Sequence, residues 1–221
     1  MNLLTDGLKK IGISESIIEP IAEKMEQYIN EIVLFNSAYN LTNTSEHDEL
    51  VTRHILDSLA AYNSIKEFIK NAGSENFVLG DIGSGGGLPG IPLAAVLCME
   101  MLDVKVILVE RMEKRCAFLE NCAAILGLKN VDVLNSEAER LEEKHFDLIT
   151  FRAFRPLDKK MTKTLLRIVK DKGVLCAYKA KKENIIEEMN GIKELVPFYE
   201  VISLNVPGLE DSERNLVVIK R

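Results

Sequence analysis

The chain has 221 residues, and its 28 Lys and Arg side chains against 34 Asp and Glu give a formal net charge of −6. Hydrophobic residues make up 47% of the sequence and charged residues 28%, which excludes a disordered chain and suits one globular domain with a sizeable core. No run of about 18 apolar residues occurs, so a membrane-spanning helix is excluded. The N-terminal residues lack a signal-peptide pattern, and we therefore expect a cytoplasmic protein.

The first part of the chain has a helical pattern. Apolar residues recur every three or four positions over residues 14–62, and a serine is placed to cap the first turn. A second helical run is predicted over residues 46–68, and residues 71–76 have the composition of a linker. We therefore predict a helical extension, residues 1–70, that packs on a core formed by residues 71–221.

From residue 77 onward, short apolar runs alternate with helical stretches. The runs that we predict as strands are residues 77–82, 104–109, 131–134, 146–151 and 173–178. This alternation implies right-handed crossovers and a mostly parallel sheet covered by helices on both faces. Two last strands, residues 199–206 and 215–220, have no helix between them and should pair antiparallel at one edge. The sequence thus predicts an α/β fold of the Rossmann-like type.

The four cysteines stand singly in apolar surroundings. Because no CxxC or CxxxH spacing occurs, the sequence predicts reduced core thiols. It favours neither a disulfide framework nor a metal site.

A glycine-rich loop is the strongest local signal in the sequence. The first strand runs into four glycines within five residues, residues 83–87, and a proline suited to a helical first turn follows. Such a loop lets the backbone approach a ligand closely. Glu110, at the end of the second strand, could accept hydrogen bonds from both hydroxyls of a ribose. Ser84, Gly85, Gly87 and Glu110 are therefore candidate residues of a nucleotide site.

Two kinds of nucleotide remain in question. Residues 85–90 match the G-x-G-x-x-G pattern of dinucleotide-binding proteins, so a hydride-transfer enzyme is one alternative. Asp81, two residues before the loop, would repel a pyrophosphate. The ammonium and sulfonium groups of S-adenosylmethionine would instead be attracted by that carboxylate. Asp81 and the antiparallel last strands together favour S-adenosylmethionine as the cofactor.

Six segments of the chain resemble a known family. The segments that are similar to signatures of the bacterial RsmG family, also named GidB, are residues 39–42, 53–59, 81–94, 114–119, 137–139 and 151–154. The resemblance covers nearly the whole chain, and the order of the six segments makes it specific. The resemblance implies a class I S-adenosylmethionine-dependent methyltransferase fold, and methylation of N7 of a guanine in 16S ribosomal RNA of the small subunit.

The resemblance also implies the residues that hold the methyl donor. Carried over position by position, these contacts fall on Gly83, Leu88, Ala138, Glu139 and Arg152. This chain has Glu110 where the family often has Asp, and the longer acid should still reach a ribose. It also has Ala180 after Lys179, where the family tends to have glycine.

The chemistry of N7 methylation explains why no catalytic dyad is visible. N7 of guanine carries an in-plane lone pair and no proton, so direct in-line displacement needs no general base. Catalysis should come from positioning and electrostatics. Arg152 is the candidate for this role, because it follows the fourth strand on the ligand side of the sheet. It could hold the carboxylate of the donor, an RNA phosphate or guanine O6.

Basic residues near the expected cleft suggest an RNA-binding face despite the net acidity. The candidate RNA contacts are Arg53, His54, Arg155, Lys179 and Lys181. A solvated charged surface is the alternative for the residues that follow strands. An ion pair between Arg53 and Asp57, four residues apart on one helix, is the alternative for the helical ones.

The sequence leaves alternatives to the RNA enzyme open. We expect a monomer whose partner is 16S rRNA in the small subunit, without membrane or metal. A methyltransferase for a small molecule or protein, or a nucleotide-binding regulatory module, would share the same glycine loop.

Overall fold

The computed structural model describes residues 2–221, which begin with a set of helices. The helices of the extension are α1 (Leu3–Ile11), α2 (Glu15–Tyr39), α3 (His47–Leu50), α4 (Asp57–Leu59) and α5 (Tyr62–Ala72). A π-helical segment, Val51–Leu56, joins α3 to α4. The predicted second run, residues 46–68, is therefore divided, and α1 was not predicted.

The start of α2 differs from the prediction in its cap. Ser14 occupies the cap position but makes no side-chain bond to the helix. Its hydroxyl lies 3.0 Å from that of Ser16. The two hydroxyls form a hydrogen bond with each other. The hydroxyl of Ser14 therefore accepts no hydrogen bond from the first-turn amides of α2.

The core is one seven-stranded sheet. Its strands are β1 (Phe77–Ile82), β2 (Val104–Glu110), β3 (Val131–Asn135), β4 (Phe146–Arg152), β5 (Val169–Lys179), β6 (Glu200–Ser203) and β7 (Asn215–Lys220). They lie in the order β3-β2-β1-β4-β5-β7-β6. Strands β1 to β5 are parallel, and β7 is antiparallel to both β5 and β6. The predicted fold class is confirmed.

Strand β5 begins earlier than the sequence predicted. Val169 pairs with Phe146 of β4 before the register shifts to pair Val174 with Leu148. The shift leaves the polar residues 170–172 in a bulge between the two pairings, where Lys172 has a φ of +67°. The local pattern of these residues does not indicate a strand.

Helices cover both faces of the sheet. The helices between strands are α6 (Gly90–Met99), α7 (Glu113–Ile125), α8 (Lys159–Ile168) and α9 (Lys182–Gly191). Helices α6 and α7 share one buried cluster with the extension, in which Leu8, Tyr28, Leu56, Val96 and Leu119 take part. Helices α8 and α9 bury the opposite face. The extension thus supplies an outer layer to the sheet.

The topology fixes where a ligand can bind. Strands β1 and β4 are neighbours, and the chain leaves them toward opposite sides of the sheet. Such a switch point opens a crevice beyond the carboxyl ends of the strands. In residues 2–221, no helix has the length and apolar character needed to cross a membrane.

Candidate active site

A cavity of about 1070 Å³ lies at the carboxyl edge of the sheet. Its wall is built from the glycine loop after β1, the segments after β4 and β5, and residues 41–43 of the extension. A smaller cavity of about 410 Å³ lies at the ends of β2 and β3, where Met112, Asn135 and Glu137 line it. Both cavities are at the edge where the topology predicts a ligand.

The backbone amides of the glycine loop are engaged inside the protein. Gly83 and Ser84 donate to the carbonyl of Val109, at 2.9 and 3.0 Å, while Gly87 and Leu88 donate to the carbonyl of Ser84. Two carboxylates accept further amides of this segment, since Glu110 accepts from Gly85 and Asp81 accepts from Gly90. A pyrophosphate binds such a loop through free amides. Their internal use argues against a dinucleotide here.

Gly85 is the loop position with open space in front of it. A Cβ on Gly83 would lie 2.1 Å from the ring of Phe154, whereas the nearest atom to a Cβ on Gly85 would be 3.8 Å away. Gly85 also has a φ of +60°, which favours glycine. The packing of Phe154 therefore explains why position 83 is a glycine. At Gly85 the space is open, and it forms a cradle that a side chain would fill.

Asp81 lies beneath the loop and is 1% exposed. One carboxylate oxygen accepts from the Ser84 hydroxyl at 2.7 Å and from the Gly90 amide at 3.1 Å. Burial raises the pKa of Asp81 to about 6, against the opposing effect of these hydrogen bonds. Asp81 lines neither cavity, so it supports the loop and the start of α6 from behind.

Glu110 links the loop to the end of β2. It is buried, and its two oxygens accept from the amides of Gly85 and Met112, each at 2.9 Å. Gly85 lines the larger cavity and Met112 the smaller one. Because each carboxylate oxygen has a second lone pair, Glu110 can still accept a hydroxyl between the two cavities.

Ala138 and Glu139 lie on a short helical turn, Ala138–Arg140, after β3. Ala138 is buried, and the carboxylate of Glu139 pairs with Arg155 at 3.0 Å. Neither lines a cavity, but their neighbour Glu137 lines the smaller one. Their role as donor contacts stays a prediction.

Arg152 is held in a polar cluster at the end of β4. Its Nη1 donates to Asp57 at 2.7 Å and to the carbonyl of Arg53 at 3.2 Å, and its Nη2 lies 3.2 Å from His54 Nδ1. Asp57 also accepts from Arg214 at 3.1 Å. The carboxylate therefore compensates the charge of two guanidinium groups and fixes both side chains.

The alternative of an ion pair between Arg53 and Asp57 is wrong. Arg53 lies 3.6 Å from Glu49 instead, while Asp57 faces Arg152. The chain from Arg53 to Asp57 runs through the π-helical segment, whose wider turn does not align residues four apart as an α-helix does.

His54 is a neutral hydrogen-bonding group. Because arginine can only donate, its contact with Arg152 makes Nδ1 the acceptor and puts the proton on Nε2. Burial of the ring, with the charges of Arg152 and Arg53, lowers the pKa of His54 to about 4. Nε2 is buried and has no partner within residues 2–221.

The structure brings most of the predicted site residues together. Those that line the larger cavity are Gly83, Ser84, Gly85, Leu88, Arg152, His54, Arg155, Lys179 and Lys181. Those that line neither cavity are Asp81, Gly87, Glu110, Ala138, Glu139 and Arg53.

Further cavity residues were not predicted. Asp57, Phe154, Arg115, Tyr178 and Arg214 also line the larger cavity. Arg214 precedes β7, and the antiparallel pairing of β7 with β5 brings it to the site. That predicted pairing was the one signal that could have pointed to Arg214.

Solved structures share the fold of this chain. A SAM-dependent methyltransferase from Aquifex aeolicus has a TM-score of 0.55 at 20% identity, over 79% of this chain and 93% of that one. The tRNA (m1A58) methyltransferase TrmI from the same organism also has a TM-score of 0.55, at 15% identity, over 72% and 68%. At these identities the likeness concerns the fold alone.

Sequence comparison identifies the family. Proteins named ribosomal RNA small subunit methyltransferase G are 41% identical in Treponema denticola, over 99% of this chain and 94% of the relative, and 36% identical in Cupriavidus pinatubonensis, over 99% and 92%. The family model GidB, described as rRNA small subunit methyltransferase G, matches residues 21–217. The chain therefore belongs to the rRNA small subunit methyltransferase G family, as its motifs indicated.

Proposed function

We propose that this protein transfers the methyl group of S-adenosylmethionine to N7 of a guanine in 16S rRNA of the small ribosomal subunit. The observation that carries the proposal is the open cradle at Gly85, held by Glu110, at the wall of a cavity that Arg152 also lines. Family membership over nearly the full chain supports the RNA substrate.

The residues of the site fit a methyl donor that carries a ribose and positive charge. Glu110 would hold the ribose, and the loop residues Gly83, Ser84, Gly85 and Leu88 would lie along the donor. Gly87 and Asp81 would support that loop from behind, and Ala138 and Glu139 would lie at the end beside the smaller cavity. Bound there, S-adenosylmethionine supplies an electrophilic methyl group on sulfur. The buried Asp81 carboxylate adds negative potential near that cation.

Positioning accounts for the catalytic role of Arg152. A guanine N7 attacks through a lone pair that needs no deprotonation, so the site must orient the base and tolerate a purine that becomes cationic. Asp57 pairs with Arg152 and limits its net positive charge. The neutral His54 adds no charge of its own. Arg152 can therefore donate hydrogen bonds to the substrate with little repulsion of the product.

A complete cavity within one chain supports action as a monomer, and a ribosomal RNA substrate supports a cytoplasmic location. The extension, residues 1–70, supplies part of the cavity wall through Leu41 and Thr42. It would therefore act as one wall of the site on the core, residues 71–221.

Radiolabelled methyl transfer tests the proposal. Small subunits from cells that lack this protein should accept label from S-adenosylmethionine, and nucleoside analysis should find it in 7-methylguanosine. Subunits from cells that contain the protein are the control, because their site is already methylated and should take no label. Tight donor binding by calorimetry without any label in RNA would contradict the RNA substrate. It would favour a small-molecule or protein substrate, or a regulatory module.

A further inference from the structure

Most cations at the larger cavity are already neutralised by a carboxylate of the same chain. Asp57 pairs with Arg152 and Arg214, Glu139 pairs with Arg155, and Glu188 pairs with Lys179. The basic side chains that line the cavity are Arg115, Arg152, Arg155, Lys179, Lys181 and Arg214. Four of these six are therefore compensated internally.

Arg115 and Lys181 are the two exceptions. Within the part of the chain that the structure describes, neither has a carboxylate at ion-pair distance. A phosphate that approaches a paired cation also meets its carboxylate, whereas an unpaired cation offers its full charge. The charge available to an RNA backbone at this cavity therefore lies on Arg115 and Lys181.

Arg115 is held in place by neutral acceptors. It lies in the first turn of α7, and its Nη2 donates to the carbonyl of Asn40 at 2.9 Å. Its Nε and Nη2 also lie 3.4 Å from the carbonyl of Tyr39. These carbonyls end helix α2, so they orient the guanidinium, and their partial negative charge offsets less of its charge than a carboxylate would.

Lys181 lies at the other side of the cavity. Its side chain is exposed, and it follows β5 and precedes α9. Arg115 belongs to the helix that follows β2, and strands β1 and β4 lie between β2 and β5 in the sheet. The two cations therefore flank the carboxyl ends of the strands that carry the glycine loop and Arg152.

We propose that Arg115 and Lys181 bind phosphate groups of the substrate RNA on either side of the target nucleotide. The RNA backbone then crosses the edge of the sheet from the β2 side to the β5 side, with the target base in the cavity between. The paired cations Arg155 and Lys179 shape the wall and contribute less to RNA affinity. This inference rests on the proposed function, since it assumes an RNA substrate.

The substitutions Arg115→Gln and Lys181→Gln test the inference. Glutamine removes the charge, and at position 115 it keeps an amide donor for the end of α2. Each variant should raise the KM for unmethylated small subunits about five- to tenfold. Each should also lower the slope of log affinity against log salt by about 0.7 to 0.9, the value for one phosphate contact. The affinity for S-adenosylmethionine, measured by calorimetry, should stay unchanged.

Lys163→Gln is the matched control. Lys163 is exposed on α8, lies outside both cavities, and should keep the KM and salt slope of the wild type. If Arg115→Gln and Lys181→Gln behave like this control, the inference is wrong. It is also wrong if either variant loses donor affinity, since that places the residue in the donor site or the fold. If wild-type protein binds the donor but labels no RNA, the proposed function itself fails.

Discussion

Asp81 has a buried carboxyl group whose pKa differs between the folded and the unfolded chain. Burial raises its pKa to about 6 from the ordinary 3.8 of an aspartate carboxyl. Between these pH values the folded state binds more protons than the unfolded state. The contribution of Asp81 to stability is therefore fully present below about pH 4 and is lost as the pH rises through 6.

Substitution Asp81→Asn should remove this pH dependence. An asparagine oxygen can still accept from Ser84 and Gly90, but it carries no charge. Relative to wild type, the free energy of unfolding of the variant should rise by about 2 to 3 kcal/mol between pH 4 and pH 7. Urea unfolding at several pH values measures this difference. If the difference in unfolding free energy between the variant and wild type stays constant with pH, folding does not shift the pKa of the Asp81 carboxyl.

Gly85→Asp should abolish donor binding while the protein stays folded. The open face at Gly85 would be filled by a side chain, and a second carboxylate would stand beside Glu110. Gly73 offers a matched control, because it has a similar φ of +56° and no atom within 4 Å of its Cβ direction. Gly73→Asp carries the same backbone strain away from the site. Calorimetry with S-adenosylmethionine compares the two, and equal affinities would contradict the assignment of the loop.

For single residues, the sequence predicted which residues lie at the site better than it predicted their hydrogen-bond partners. Asp81, Glu110 and Arg152 could be found because each follows a predicted strand. Their hydrogen bonds could not, since Glu110 meets Gly85 across 25 residues and Arg152 meets Asp57 across 95. Local spacing suggested Arg53 for Asp57 instead, and only the packed fold brings Arg152 closer.

Helix α2 belongs to the extension but contacts the glycine loop of the core. The buried hydroxyl of Tyr28 donates to the carbonyl of Gly86, and Leu41, just after α2, packs against the same glycine. Asn36 in turn accepts from the amides of Leu41 and Thr42, each at 2.9 Å. The extension therefore fixes the conformation of the loop that we assign to the donor.

Tyr28→Phe should weaken donor binding without unfolding the chain. The ring keeps its packing, but the peptide of Gly86 loses its hydrogen bond. A buried hydrogen bond contributes about 1 kcal/mol, which corresponds to roughly a fivefold change in affinity. Tyr62→Phe is the control, since it removes a hydroxyl from an equally buried tyrosine of α5 that lines neither cavity. Donor affinities that fall equally in both variants would rule out a specific role for Tyr28.

The sheet was predictable at the level of elements because its pattern is strong. Apolar runs separated by amphipathic stretches indicate parallel strands, and the missing helix before β7 indicates the antiparallel edge. Helix α1 was not predicted because its apolar pattern is short, and it packs mainly against α2 and the π-helical segment. The break between α4 and α5 has no proline or glycine to mark it.

Over the whole molecule, the extension and the core share one hydrophobic cluster. Helix α6 is buried on all sides from Gly90 to Leu97, because the sheet covers one side and helices α2 and α4 contact it from the other. Its sequence has no polar face to expose. Residues 71–221 therefore depend on the extension to cover α6, although the change in sequence texture near residue 70 resembles a domain boundary.

A chain that begins at residue 71 should consequently fail to fold. Its α6 and one face of the sheet would lose their cover, and the apolar area exposed would cost about 25 cal/mol for each Å². The complete chain should unfold in a single transition by circular dichroism, shifted upward by S-adenosylmethionine because ligand binding stabilises the folded state. The shortened chain should show no cooperative transition and no donor binding. A shortened chain that unfolds cooperatively and binds the donor would make residues 71–221 an independent domain, with the extension as an attached module.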